Sequence, residues 1–139
     1  MKIVVDANVF FSAFIRKNSV VRQIILDPHL ELFSPEWLLE EFDKNQDEIL
    51  KKMDNKENFL ETKELLLSFI KIIPKEMYES YIEIAERALK ENKKDIPYVS
   101  LCLYLNVPLW SNDANLKKKQ KLVKVLTISE MIDTFVKEV

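Results

Sequence analysis

The chain contains no glycine at all. Proteins average about 7% glycine, and phosphate cradles of Walker or dinucleotide type need several at fixed spacing so that the backbone can close on the ligand. Both kinds of nucleotide site are therefore excluded. The only cysteine, Cys102, cannot form an internal disulfide. It falls inside the apolar stretch Val99 to Leu105, with nothing adjacent in sequence to stabilise a thiolate, so a buried reduced thiol is expected. The only histidine, His29, stands in the turn-like Asp27-Pro28-His29 with no motif around it. A zinc site, a Ser-His-Asp triad and a Cys-His pair all lack the residues they require. No apolar run approaches the roughly 20 residues of a bilayer span. Met1-Lys2-Ile3 leads straight into a strand-like run, which gives the expectation of a cytoplasmic protein without a membrane partner. A basic excess is missing too, since the formal net charge is −2. Attraction to a polyanion must come from local runs, here Lys93-Lys94 and Lys117-Lys118-Lys119-Gln120-Lys121.

What is present is an ordinary globular composition, 47% apolar and 32% charged over 139 residues, enough for a single domain spanning 1–139 with its own core. Short β-branched runs bounded by polar residues predict buried strands at 2–6, 30–33, 107–110 and 123–126. Helical patterning predicts helices across 8–26, 36–53, 57–72, 76–91, 96–105, 113–119 and 129–138. Ser34 before Pro35 and Ser129 before Glu130 have the residue types of helix caps. Strands alternating with helices imply parallel pairing and a three-layer α/β/α sandwich with a mostly parallel central sheet. The two long helices after the second strand are expected to form a hairpin on one side.

Acidic residues recur where such a sheet exposes its carboxyl edge. Ile3-Val4-Val5 runs into Asp6-Ala7-Asn8, and Pro108-Leu109-Trp110-Ser111-Asn112 runs into Asp113-Ala114-Asn115. Asp95 stands ahead of Ile96-Pro97-Tyr98 at a helix start, and Glu40-Glu41 lies between Leu38 and Phe42 on the helix after the second strand. Each has a bland alternative: Asp6, Asp95 and Asp113 are natural helix caps, and a glutamate on a helix is commonly solvated. Glu41 lies beside the buried stripe of Leu38 and Phe42 and is therefore closer to the rim than an outward residue. Carboxylates gathered at one sheet edge resist ionising together unless a cation sits among them. Oxygen-only donors suit Mg²⁺ or Mn²⁺.

At this point the chain resembles the PIN domain family, specifically its VapC-like prokaryotic nucleases. The likeness rests on Val4-Val5-Asp6-Ala7-Asn8, Leu39-Glu40-Glu41-Phe42, Lys94-Asp95-Ile96-Pro97-Tyr98-Val99-Ser100-Leu101 and Pro108-Leu109-Trp110-Ser111-Asn112-Asp113-Ala114-Asn115-Leu116, with Val125 to Glu130 closing the pattern. It implies that Asp6, Glu41, Asp95 and Asp113 are both the metal-binding and the catalytic acids, with Glu41 matching better than Glu40 because a large apolar residue follows it. Asn8, Ser111 and Asn115 are implied as supporting residues. Asn115 and Asn92 stand where some relatives carry further acids, which weakens the case for a second metal. The resemblance further implies Mg²⁺- or Mn²⁺-dependent endonuclease action on single-stranded RNA, a homodimer, and a small antitoxin protein as partner. The alternative is a catalytically weak or inactive PIN-like module that binds RNA or a protein. A phosphoacceptor signalling domain also places acids around Mg²⁺, but it usually pairs acids after its first strand, and here Asp6 is flanked by Val5 and Ala7.

Overall fold

The computed structural model describes residues 1–16, 19–90 and 92–138. Lys17, Asn18 and Glu91, which the sequence pattern put in helices, lie outside the described residues. Five strands form the central sheet: β1 (Lys2–Val5), β2 (Glu31–Pro35), β3 (Ile70–Ile73), β4 (Leu109–Trp110) and β5 (Val125–Leu126), in the order β3-β2-β1-β4-β5. All pairings are parallel, with Ile3 opposite Leu32, Val5 opposite Trp110, and Trp110 opposite Leu126. Central strand β1 reads Ile-Val-Val because both of its faces are covered, and all three side chains are fully buried.

The helices are α1 (Ala7–Ile15), α2 (Val20–Ile25), α3 (Trp37–Lys52), α4 (Phe59–Ser68), α5 (Lys75–Tyr78), α6 (Ile82–Ala88), α7 (Ile96–Leu105), α8 (Ala114–Lys119) and α9 (Ile128–Glu138). Helix α7 packs on β1, β2 and β4, and α5 and α6 pack on α7. Elsewhere α1 packs against α2, α3 and α4, joined by a knot of rings in which Phe14 and Phe42 lie 5.1 Å apart and Phe42 and Phe59 stack at 5.7 Å. The result is the three-layer α/β/α architecture, with the sheet wholly parallel.

The absence of glycine leaves one visible mark. Helix α7 ends at Asn106 in the left-handed region, φ 57°, and the chain turns there so that Val107 N–H donates to the Cys102 carbonyl at 3.1 Å. Asparagine is the residue best able to take glycine's usual place at such a terminus.

Several expectations need correction. The helix expected over 57–72 stops at Ser68, and Ile70–Ile73 is an edge strand paired to β2. Helices α3 and α4 meet where Phe59 stacks on Phe42 and Lys63 lies over the Phe42 ring, and α4 then delivers the chain to β3. The helix expected over 76–91 is broken into α5, a 3₁₀ turn at Glu79–Tyr81, and α6. The late strands are shorter than expected, Leu109–Trp110 and Val125–Leu126. Ser34 caps nothing; it is buried in β2 and donates to the Val5 carbonyl at 3.0 Å, tying β2 to β1. The last helix is capped by Thr127 rather than Ser129: the Thr127 hydroxyl accepts from Glu130 N–H at 3.2 Å while the Glu130 carboxylate accepts from Thr127 N–H at 3.2 Å. That reciprocal pair is a capping box.

Candidate active site

The chain leaves β1 toward one sheet edge, builds β2 and β3, then crosses to the other side of β1 to form β4 and β5. Strand order thus reverses between β1 and β4, and in open α/β sheets the crevice beyond the carboxyl ends at such a point is where ligands bind. Asp6 follows β1 directly, and Asp113 lies three residues beyond the end of β4.

Asp6 N–H continues the sheet ladder by donating to the Trp110 carbonyl at 3.1 Å, and its Oδ1 accepts from Val9 N–H at 2.8 Å, capping α1. The side chain is only 6% exposed. Asp113 caps α8, its Oδ1 accepting from Asn115 N–H at 2.9 Å and from Leu116 N–H at 3.3 Å. Ser111, fully buried between them, accepts from Asp113 N–H at 3.2 Å, and its hydroxyl bonds the Asp6 carboxylate. Capping and site placement are therefore not alternatives here, because both aspartates do both.

Glu41 rides on α3 above the fully buried Leu38 and Phe42. Its backbone carbonyl accepts from Asn45 Nδ2 at 2.7 Å, and its Oε1 accepts from the Tyr98 hydroxyl at 2.6 Å. Glu40 turns away, into a neighbouring groove with Trp37, Tyr78 and Ile96. Asp95 ends the 3₁₀ turn Lys93–Asp95 that feeds α7. It makes no cap bond, contrary to the capping expectation, so its carboxylate is left for the cleft.

Asp6, Glu41, Asp95 and Asp113 line one cleft of about 520 Å³, together with Asn8, Asn45, Asn92, Lys93, Lys94 and Tyr98. All four acids named by the sequence are thus brought together, and Asn8 joins them at the rim. Asn115 is not part of the lining and contributes its backbone N–H to Asp113. Histidine and cysteine are absent from the lining: His29 is exposed elsewhere, paired with Asp27, and Cys102 is buried in α7, where burial pushes its thiol well above the ordinary value.

The electrostatics record the crowding. Burial pushes Asp6 up to about 6, against the hydrogen bonds from Ser111 and Val9, with Glu41 and Asp113 adding repulsion. Asp95 is likewise pushed up to about 6, by burial first and then by Asp113, Asp6 and Glu41. Burial raises Glu41 as well, opposed by the Tyr98 hydroxyl and the Lys94 and Lys44 ammonium groups. Tyr98 lies well above its ordinary value through burial and its bond to Glu41, so it stays protonated and donates to that carboxylate. An all-oxygen donor set whose members repel one another fits a hard divalent cation better than zinc. Among the described residues, however, no three Asp, Glu, His or Cys side chains already form a closed metal-binding group. A cation would draw the carboxylates inward or reach some of them through water, as Mg²⁺ commonly does.

Two polar cleft residues, Tyr98 and Asn45, carried no role in the sequence pattern. Tyr98 follows Asp95 by three, a spacing that puts both on one helical face. Asn45 follows Glu41 by four on α3 and shares its face in the same way. Those spacings were the available signals.

No helix among the described residues is long and apolar enough to cross a membrane. No curated protein is detectably similar in sequence. In fold, the chain is similar to one from the VapBC2 complex of Rickettsia felis bound to a DNA fragment from its promoter, with TM-score 0.66, 16% identity, and coverage of 91% of this chain and 98% of that one. The PIN domain family model matches residues 4–131, nearly the whole length. This chain belongs to the PIN domain family.

Proposed function

We propose that the protein is a Mg²⁺- or Mn²⁺-dependent endoribonuclease that hydrolyses phosphodiester bonds of single-stranded RNA. The observation that carries this reading is the arrival of Asp6, Glu41, Asp95 and Asp113, from separate parts of the chain, in one cleft at the switch point of the sheet. Those four residues would hold the ion, with Asn8 and Ser111 supporting them and Asn115 acting through its backbone on Asp113. A bound divalent ion supplies a lower pKa for the attacking water and countercharge for the phosphate. The chain's own groups do the rest. Asp6 is fixed by two hydrogen bonds and buried, so its position is preset before any ligand arrives. Lys93 and Lys94 at the cleft, and the exposed Lys118 and Lys119 on α8, the helix that Asp113 caps, draw the RNA backbone toward the acids by local Coulomb attraction, while Lys117 is paired with Glu130.

The likeness to a VapBC2 chain supports a toxin role with a small antitoxin protein as partner. A homodimer is part of the same reading, and exposed Leu60, Leu65, Met77 and Ile84 on α4 to α6 offer apolar surface for it. The family match over 4–131 supports one domain across the chain, and cytoplasmic action belongs to the same proposed reading.

Asp6→Asn keeps a cap-competent side chain while removing the charge. Loss of outer-shell partners alone costs metal sites 10–100-fold, so this variant should cleave RNA in Mn²⁺ at least about 100-fold more slowly. Undiminished cleavage by folded Asp6→Asn protein would remove the mechanism.

One observation favours a second reading, a catalytically weak or inactive PIN-like module: no closed acidic group preset for metal exists among the described residues. Calorimetry separates the two. Saturable Mg²⁺ or Mn²⁺ binding supports the nuclease, and no binding at millimolar metal supports the module.

A further inference from the structure

Tyr98 is 2% exposed, yet its hydroxyl reaches the active-site cleft and donates to Glu41 Oε1 at 2.6 Å, a contact that joins α7 to α3 across 57 residues of sequence. Resting on the metal-dependent reading above, we infer that Tyr98 is the positioning residue for Glu41: its hydroxyl occupies one carboxylate oxygen and so aims the other at the cation.

The geometry on both sides leads there. Glu41 is half-buried, stands on a helix whose buried face is made by Leu38 and Phe42, and has three rotatable side-chain bonds; a glutamate at such a rim would ordinarily turn its carboxylate to water. It turns inward instead, where the Tyr98 hydroxyl donates to its Oε1 at 2.6 Å and the Lys94 and Lys44 ammonium groups and the Trp37 indole also favour its charged form. The other three acids are held by different means. Asp6 and Asp113 are each pinned by backbone N–H groups at helix starts, and Asp95 is placed by the 3₁₀ turn that runs into α7. Among the described residues Glu41 has no backbone donor, so the phenol takes that part. Tyr98 lies one turn after Asp95 on the same face of α7. A single helical turn therefore contributes one acid directly and orients a second one. A ligating carboxylate held by an outer hydrogen bond is the usual way in which proteins fix a metal ligand's direction.

The test is calorimetric titration of Mn²⁺ into the intact chain, its Tyr98→Phe, Glu41→Gln and double variants, with thermal melts to establish that each is folded. Tyr98→Phe keeps the ring in its buried seat and deletes only the hydroxyl. The expected result is Mn²⁺ affinity about 10-fold or more weaker in Tyr98→Phe, and no further weakening when Tyr98→Phe is added to Glu41→Gln. A purely structural tyrosine would weaken binding equally in both backgrounds, and that result overturns the inference. Affinity within twofold of the unaltered chain, or tighter, also overturns it. If the unaltered chain takes up no Mn²⁺, the metal-dependent reading itself falls, and this is seen before any variant is compared.

Discussion

Asp6 and Asp113 occupy matching places, each just past a parallel strand and each capping the helix that follows, yet their surroundings differ sharply. Asp6 is at the buried centre of the sheet and is pushed up to about 6, chiefly by burial. Asp113 is exposed at the cleft mouth. The same local pattern of strand, aspartate and helix therefore yields one carboxylate that resists ionising and one that solvent can reach. Depth in the sheet, rather than the motif, decides the chemistry: β1 is the central strand, held between β2 and β4, whereas β4 has only two residues and borders the short edge strand β5.

If both aspartates serve the same ion, cleavage should treat them alike while stability separates them. The largest effect expected is on activity: Asp113→Asn, like Asp6→Asn, should lose at least about 100-fold in RNA cleavage. A Asp113→Asn variant with near-normal rates would confine the site to its buried half.

Stability in metal-free buffer should then divide the pair. Asp6 has an ordinary value of 3.8 and a folded value of about 6, so between those values the folded chain holds a proton that the unfolded chain has released. The contribution of Asp6 to stability is full below that window, falls as pH rises through it, and levels off above about 6. At 1.36 kcal/mol per unit, the loss is on the order of 2–3 kcal/mol by pH 7 for this buried group. Asp95 acts in the same direction. Asp6→Asn should therefore melt higher than the unaltered chain at pH 7, by about 1–2 kcal/mol in unfolding free energy, and show a flatter pH profile. Asp113→Asn, keeping a cap-competent side chain on the surface, should stay within about 0.5 kcal/mol. Urea unfolding from pH 4 to 7 checks both, and an Asp6→Asn variant less stable at pH 7 would contradict the burial argument.

A smaller effect tests capping away from the site. Thr127→Ala removes one half of the capping box at α9 and should cost about 1 kcal/mol, with Ser129→Ala near neutral. The reverse order in thermal melts would contradict the assignment.

Much of this was legible before any coordinates. Ile3-Val4-Val5 read as a buried strand, and its end placed Asp6 at the carboxyl edge. The spacing of Leu38 and Phe42 put Glu41 at the rim, where the structure has it, with Glu40 in a different groove. What the pattern hid has physical causes. Leu65-Leu66-Leu67 runs almost without a break into Phe69-Ile70-Lys71-Ile72-Ile73, and a continuous apolar run does not reveal where period 3.6 gives way to period 2. Only Pro74 marked the far end of β3. The break between α5 and α6 has no glycine or proline to announce it and arises from packing on α7. The capping box was in view as Thr127-Ile128-Ser129-Glu130, where the Thr-to-Glu spacing of three outweighs the mere presence of a serine. The Tyr98 contact joins residues 57 apart in sequence and belongs to tertiary structure alone.

The central claim is tested most directly by titrating Mn²⁺ at pH 7 into the unaltered chain and into Asp6→Asn, Glu41→Gln, Asp95→Asn, Asp113→Asn and, as control, Glu40→Gln. The account predicts saturable binding that each of the first four substitutions weakens and Glu40→Gln leaves intact. Binding that none of the four disturbs, or that Glu40→Gln abolishes, would contradict it.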